Sequence, residues 1–189
     1  MEKSDILRTL QSLAPNSHVV LFYSNLDAKH ELVFPFLQEA IQKQGVAVYA
    51  AEHESSDDLR EAMRHWGIYV DRYEREHSLI ITDHLEFMEA EDRLNGLRSS
   101  RLLNELMERL MKLAGPIRVV VDPTILARHG TVDELLDRER SLGRHLDLPL
   151  TMICCYEETL ANIRGGQFLI EILQAHSHAI FPGIVLQLT

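Results

Sequence analysis

The chain has 189 residues, of which 46% are hydrophobic and 25% charged, enough to bury a sizeable core without staples, so one domain over 1–189 is expected. A formal net charge of −10, with acidic residues gathered from Glu52 to Asp58 and from Asp83 to Asp92, repels a phosphate backbone and argues against direct nucleic-acid binding. No apolar run approaches the roughly 20 residues of a membrane span, and Met1-Glu2-Lys3-Ser4-Asp5 lacks a signal-peptide layout. The two cysteines, Cys154 and Cys155, are neighbours and cannot build a spaced disulfide framework, so a reducing, cytoplasmic setting without membrane contact is expected.

In chain order, Ile6, Leu7, Leu10 and Leu13 have the spacing of a short leading helix within residues 1–14, placed to cap the sheet or to pair with another copy. Pro15-Asn16-Ser17 breaks it, and the core runs over 15–189. His18 to Tyr23 reads as a buried strand. Asp27 is the expected N-cap of a helix with the stripe Leu32, Val33, Phe36, Leu37, Ala40 and Ile41, kinked at Pro35 and ended by Gly45. Val46 to Ala51 is a second strand. Ser55 or Ser56 caps a helix to Trp66, stopped by Gly67, and Leu79 to Thr82 is a third strand.

An acidic connection then leads to a long helix over about 94–113, whose Arg98, Arg101 and Arg109 interleave with Glu105 and Glu108 as a solvated mixed face, ended by Gly115-Pro116. Ile117 to Val121 is an apolar strand, Thr131 caps a helix to about Leu146, and Leu150 to Tyr156 is another apolar strand. A helix over Gln167 to Ala175 precedes strands near 178–181 and 184–188, which Pro182-Gly183 folds into a terminal hairpin. Strands apolar on both faces and alternating with helices define an α/β fold of three layers, a mostly parallel sheet with helices on both faces and a C-terminal hairpin.

Ligands of open α/β sheets bind outside the carboxyl ends of the parallel strands, here Tyr23 and Ser24, Glu52 and His53, Asp83 and His84, Asp122, and Cys154 to Glu157. From these, Tyr23, Ser24, Asp122, Cys154 and Tyr156 are the expected ligand-binding residues, the tyrosines and cysteine giving apolar walls with a few polar tips. Asp122 closes Arg118-Val119-Val120-Val121 in the form of a Mg²⁺-holding aspartate, or it caps the turn at Pro123. Ser24 to Glu31 contains no glycine, so no loop of the Gly-x-x-x-x-Gly-Lys type cradles a phosphate, and ATP-dependent catalysis is not expected. Neither Cys-x-x-Cys, His-Glu-x-x-His nor Gly-x-Ser-x-Gly occurs, so no catalytic residue, metal or other cofactor is expected.

Five segments in order resemble the MEDS domain, a P-loop-lacking relative of the RecA and KaiC ATPase cores found in methanogen and methylotroph sensory proteins. They are His18-Val19-Val20-Leu21-Phe22-Tyr23; Phe34-Pro35-Phe36-Leu37; Leu135-Leu136-Asp137-Arg138-Glu139; Cys154-Cys155-Tyr156-Glu157; and Ile172-Leu173-Gln174-Ala175-His176. The likeness spans roughly residues 15–182 and departs from the family at Asp122, where a glutamate or another residue is usual, and at Ser177, where a proline commonly follows the histidine. It implies a RecA/KaiC-like fold without a P-loop and a sensory role toward hydrocarbon derivatives. Signals would pass to a separate protein or through a homodimer. It also implies His18, Glu139 and His176 as recurring polar positions beside Tyr23, Cys154 and Tyr156. His18 starts its strand, away from the crevice, where a structural hydrogen bond is expected of it. A degenerate nucleotide-binding ATPase and a scaffold with a vestigial pocket are the alternatives.

Overall fold

A computed structural model describes residues 2–51, 54–83, 115–123 and 132–188. The helix read over 94–113, the cap at Thr131, and the strand-end residues Glu52, His53 and His84 lie outside the described residues. The chain runs α1 (Lys3–Ser12), β1 (His18–Tyr23), α2 (Leu26–Gln42), β2 (Val46–Ala51), α3 (Ser56–His65), α4 (Val70–Arg75), β3 (Leu79–Asp83) and β4 (Ile117–Val121). It continues through α5 (Val132–Leu142), β5 (Leu150–Glu157), α6 (Thr159–Arg164), α7 (Gly166–Ala175), β6 (His178–Phe181) and β7 (Ile184–Gln187).

The strands form one sheet in the order β3-β2-β4-β5-β1-β6-β7. Every neighbouring pair is parallel except β6 and β7, the expected terminal hairpin. Residues of β1, β2 and β4 are buried throughout, because helices cover both faces and leave no strand position for water. On one face Val19, Leu21 and Tyr23 of β1 pack with Ile6 and Leu10 of α1, Val33 and Phe36 of α2, and Leu59 and Met63 of α3. The leading helix therefore buries its apolar stripe in the chain's own core. On the other face Val20 and Phe22 pack with Leu135 and Leu136 of α5, Leu160 of α6, and Phe168 and Ile172 of α7. The register Val20↔Cys154 and Phe22↔Tyr156 puts even-numbered residues of β1 and β5 together on this second face.

The cap of α2 is Asn25, not Asp27. The Asn25 side chain accepts the Ala28 N–H at 2.9 Å, while Asp27 lies in the first turn, where its charge faces the positive end of the helix. Asn25→Ala is expected to cost about 1 kcal/mol of stability, read by urea denaturation. The helix continues through Pro35 and ends before Gly45, with Gln44 taking the left-handed turn at φ 59°. Ser55, rather than Ser56, caps α3, accepting the Asp58 N–H at 3.1 Å. Two six-residue helices, α4 and α6, were not read in the sequence, being too short to show a 3.6-residue period.

Candidate functional site

The crossover after β1 runs along one face of the sheet to β2, whereas the crossovers after β4 and β5 run along the other. Neighbouring β1 and β5 thus send their crossovers to opposite faces, as do β2 and β4, and the switch-point crevice where open α/β sheets place their ligands lies outside the carboxyl ends of these four strands. The first turn of α2 reaches into this crevice with Lys29, a fully buried lysine on the stripe that continues through Val33, Phe36, Leu37 and Ala40. Its Nζ lies 2.6 Å from Oδ2 of Asp122, just past β4, and 2.6 Å from Oε2 of Glu54, just past β2. The ammonium sits 5.0 Å above the Tyr23 ring and 5.8 Å from that of Tyr49. The Tyr23 hydroxyl donates to Asp122 at 3.3 Å, and His30 Nε2 lies 2.8 Å from Oε1 of Glu54 while its ring stacks on Phe34.

Burial opposes the charge of Lys29, but Asp122 and Glu54 outweigh it and raise its pKa above the ordinary lysine value. Burial likewise opposes ionisation of Glu54, yet hydrogen bonding from His30 and the Lys29 ammonium bring its pKa down to about 2. Burial, then the Asp122 carboxylate, push the Tyr49 hydroxyl and the Cys155 thiol well up, so both stay protonated. Lys29 follows the last strand residue, Tyr23, by the six positions that separate a phosphate-loop lysine from that loop's first glycine. Here the cation is already matched by two carboxylates, so the described residues leave no surplus positive charge to grip a triphosphate.

The second polar cluster lies across the sheet. His18, Cys154 and Tyr156 project from β1 and β5 toward α5 and α7, where they meet Glu139 and His176, and all five are buried. His18 donates Nδ1–H to the Gly143 carbonyl at 2.8 Å, with the Ala175 carbonyl at 3.2 Å. Its Nε2 lies 3.3 Å from Cys154 Sγ and 3.3 Å from Glu139 Oε2. His176 donates Nδ1–H to the Ile172 carbonyl at 2.6 Å and turns Nε2 to within 3.4 Å of the same Glu139 oxygen. Tyr156 donates its hydroxyl to Glu139 Oε1. Burial, then the neighbouring His18, lower the pKa of His176 to about 4, so its imidazole is neutral. Burial and the Glu139 carboxylate push the Tyr156 hydroxyl well up.

The five expected ligand-binding residues therefore do not share one crevice. Tyr23 and Asp122 meet at the switch point, and Ser24 is exposed beside them with its Oγ accepting from Asn25. Cys154 and Tyr156 belong to the opposite face, because Tyr23 pairs with Glu157 in the register and the pleat sends Tyr23 and Tyr156 apart. His18 makes the expected structural hydrogen bonds, within a cluster that joins it to Cys154, Glu139 and His176. Lys29 and Glu54 were missed. The signal for Lys29 was a lysine in phase with an apolar helical stripe, and Glu139 shows the same signal beside Leu135 and Leu136.

A mostly parallel seven-stranded sheet with helices on both faces defines a KaiC-like α/β fold. The chain belongs to the MEDS family, the methanogen/methylotroph DcmR sensory domain, whose profile matches residues 17–177. Among solved structures it is similar to a KaiC-like protein of the hyperthermophilic archaeon Pyrococcus horikoshii OT3, with a TM-score of 0.61 and 17% identity over 87% of this chain and 70% of that one. A second Pyrococcus horikoshii OT3 protein, from a structural study, aligns with a TM-score of 0.58 and 11% identity over 99% of this chain and 91% of the other. No curated protein matches the chain in sequence. No described helix is long and apolar enough to cross a membrane.

Proposed function

We propose that this domain is a non-catalytic sensor that recognises a small organic molecule, of the hydrocarbon-derivative class, and reports its binding through contacts with a separate protein or a second copy. The observation that supports this reading is the pairing of Lys29 with Asp122 and Glu54. Phosphoryl transfer depends on uncompensated positive charge around the transferred group, and here the lysine in the equivalent place is committed to carboxylates. Membership of a sensory family supports the same reading. The bound and unbound states would differ in the placement of helices over the sheet, by no more than the ligand's differential affinity allows.

Thermal unfolding in the presence of defined probes tests it. Short-chain alcohols, amines and halogenated alkanes form one set, and ATP with Mg²⁺ the other. A recognised compound at about 100 times its Kd adds about 2.7 kcal/mol, a rise of roughly 5–10 °C for a domain of this size. ATP with Mg²⁺ is expected to leave the transition unmoved. Stabilisation by ATP with Mg²⁺, and by none of the organic probes, overturns the reading.

A further inference from the structure

The cluster between the sheet and helices α5 and α7 carries an inference that goes beyond the sensory reading and does not depend on it. Backbone carbonyls only accept hydrogen bonds, so the bonds to Gly143 and Ile172 fix Nδ1 of both His18 and His176 as the protonated nitrogen. Nε2 is then the nitrogen that each ring turns into the cluster, within 3.4 Å of Glu139 Oε2. Glu139 Oε1 accepts from Tyr156, while Oε2 faces the two imidazoles. Glu139 Oε2 and His176 Nε2 are buried and find no hydrogen-bond partner. Each of these two atoms carries the desolvation cost of an unsatisfied buried group, about 1–3 kcal/mol. Cys154 Sγ completes the group, and the four ligand atoms all lie within 4.8 Å of one another.

We propose that His18, Glu139, Cys154 and His176 bind one Zn²⁺ ion in a closed, tetrahedral, structural site. The donors suit zinc, a borderline-soft cation that takes imidazole, thiolate and carboxylate together, whereas Mg²⁺ and Ca²⁺ require oxygen donors. The spacing suits it as well. Bonds of about 2.0–2.1 Å to nitrogen and oxygen put the corners of a tetrahedron about 3.3 Å apart. His18 and His176 stand 3.3 and 3.4 Å from Glu139, and His18 stands 3.3 Å from Cys154, where the longer zinc–sulfur bond of about 2.3 Å asks for about 3.6 Å.

Charge closes the argument. On binding, the Cys154 thiol gives up its proton to solvent, and the thiolate and the Glu139 carboxylate together cancel the two positive charges of the ion, leaving a neutral unit in an apolar layer. The surrounding bonds are those a metal site needs: each histidine is oriented by a carbonyl on its other nitrogen, and the carboxylate is held by Tyr156. Because its ligands come from β1, α5, β5 and the end of α7, the ion would tie the sheet to the helices that cover it.

The test uses the untagged full chain purified without chelator, and its apo form reloaded with Zn²⁺ or Co²⁺. Elemental analysis is expected to find about one zinc per chain, and the cobalt form to show tetrahedral d–d bands with a thiolate-to-cobalt charge-transfer band. Cys154→Ser removes that charge-transfer band. Tyr156→Phe, which disturbs only the positioning of Glu139, weakens zinc about 10- to 100-fold in chelator competition. His178→Gln, at a partly exposed histidine outside the cluster, leaves the ion in place. A folded apo protein that takes up neither ion overturns the proposal. So does zinc retained undiminished by Cys154→Ser, or lost on His178→Gln, either of which assigns the metal to surface histidines. If Cys154→Ser fails to fold, the wild-type cobalt spectrum decides alone: a charge-transfer band supports thiolate ligation, and its absence overturns it.

Discussion

Replacing Lys29 with methionine is expected to destabilise the domain by about 3–5 kcal/mol, because breaking a buried ion pair from one side leaves Asp122 and Glu54 without the cation they share. The ammonium lies between Asp122 and Glu54 at 2.6 Å from each, and in its absence two carboxylates face each other in the core. Urea denaturation at neutral pH reads the loss, and the sign of its pH dependence is fixed. In the wild type the pKa of Glu54 is held down to about 2, so its contribution is complete above the ordinary carboxylate value near 4.5 and is lost as pH falls through about 2. The variant has lost the Lys29 ammonium that helps hold the Glu54 pKa down, so it has less of this contribution to lose in acid. The gap between variant and wild type should therefore narrow as pH falls below about 4.5. Joining Lys29→Met to Asp122→Asn and Glu54→Gln should recover most of the lost stability, since removing all the charges abolishes the desolvation cost along with the attraction. A triple variant as unstable as Lys29→Met alone would show that packing of the lysine stem, and not charge, holds this edge of the sheet together.

The same lysine shows what the sequence conveyed and what it withheld. Strands that a helical layer covers on both faces announce themselves as unbroken apolar runs, and β2 and β4 lie at Val46–Ala51 and Ile117–Val121 as read. The parallel sheet, its two helical layers and the terminal hairpin follow from such runs and from the turn residues between them. A site assembled across the sheet does not. His18 and Cys154 stand 136 residues apart and meet only because β1 pairs with β5 in one register. A shift of one residue would send Cys155 to the cluster instead. Grouping Tyr23 with Tyr156 at one crevice followed from strand ends alone, without the parity that the register imposes. Lys29 was legible, but as a charge in phase with a hydrophobic stripe, whereas the search for a phosphate site looked for glycines. Glu139 broke the pattern of α5 in the same way. Buried charges on amphipathic helices mark both polar clusters of this domain, one on each face of the sheet.

Substituting alanine at Gly45 is expected to cost about 3 kcal/mol, at the upper end of the range for forcing extra volume into a packed interior. Gly45 lies immediately before β2, and a Cβ built there falls 1.9 Å from the Pro116 carbonyl oxygen. That oxygen accepts the Val46 N–H at 3.0 Å, and the pair Val46↔Ile117 begins the β2–β4 ladder. Backbone cannot rotate aside as a flexible side chain can, so relief of the clash must open the ladder at its first bond. Gly115 meets the same junction from the other strand: its Cβ would fall 2.4 Å from the Gly45 nitrogen and 2.5 Å from the Lys43 carbonyl oxygen. Gly115→Ala should therefore destabilise to a similar degree. Because either substitution alone must separate the two backbones, the second finds the gap already opened. The double variant is expected to lose at least 1 kcal/mol less than the sum of the singles, a coupling within the range for residues in contact. A double-mutant cycle by urea denaturation measures it. Additive losses would mean that the two glycines act at separate places, and that the close approach of the chains entering β2 and β4 does not limit side-chain size there.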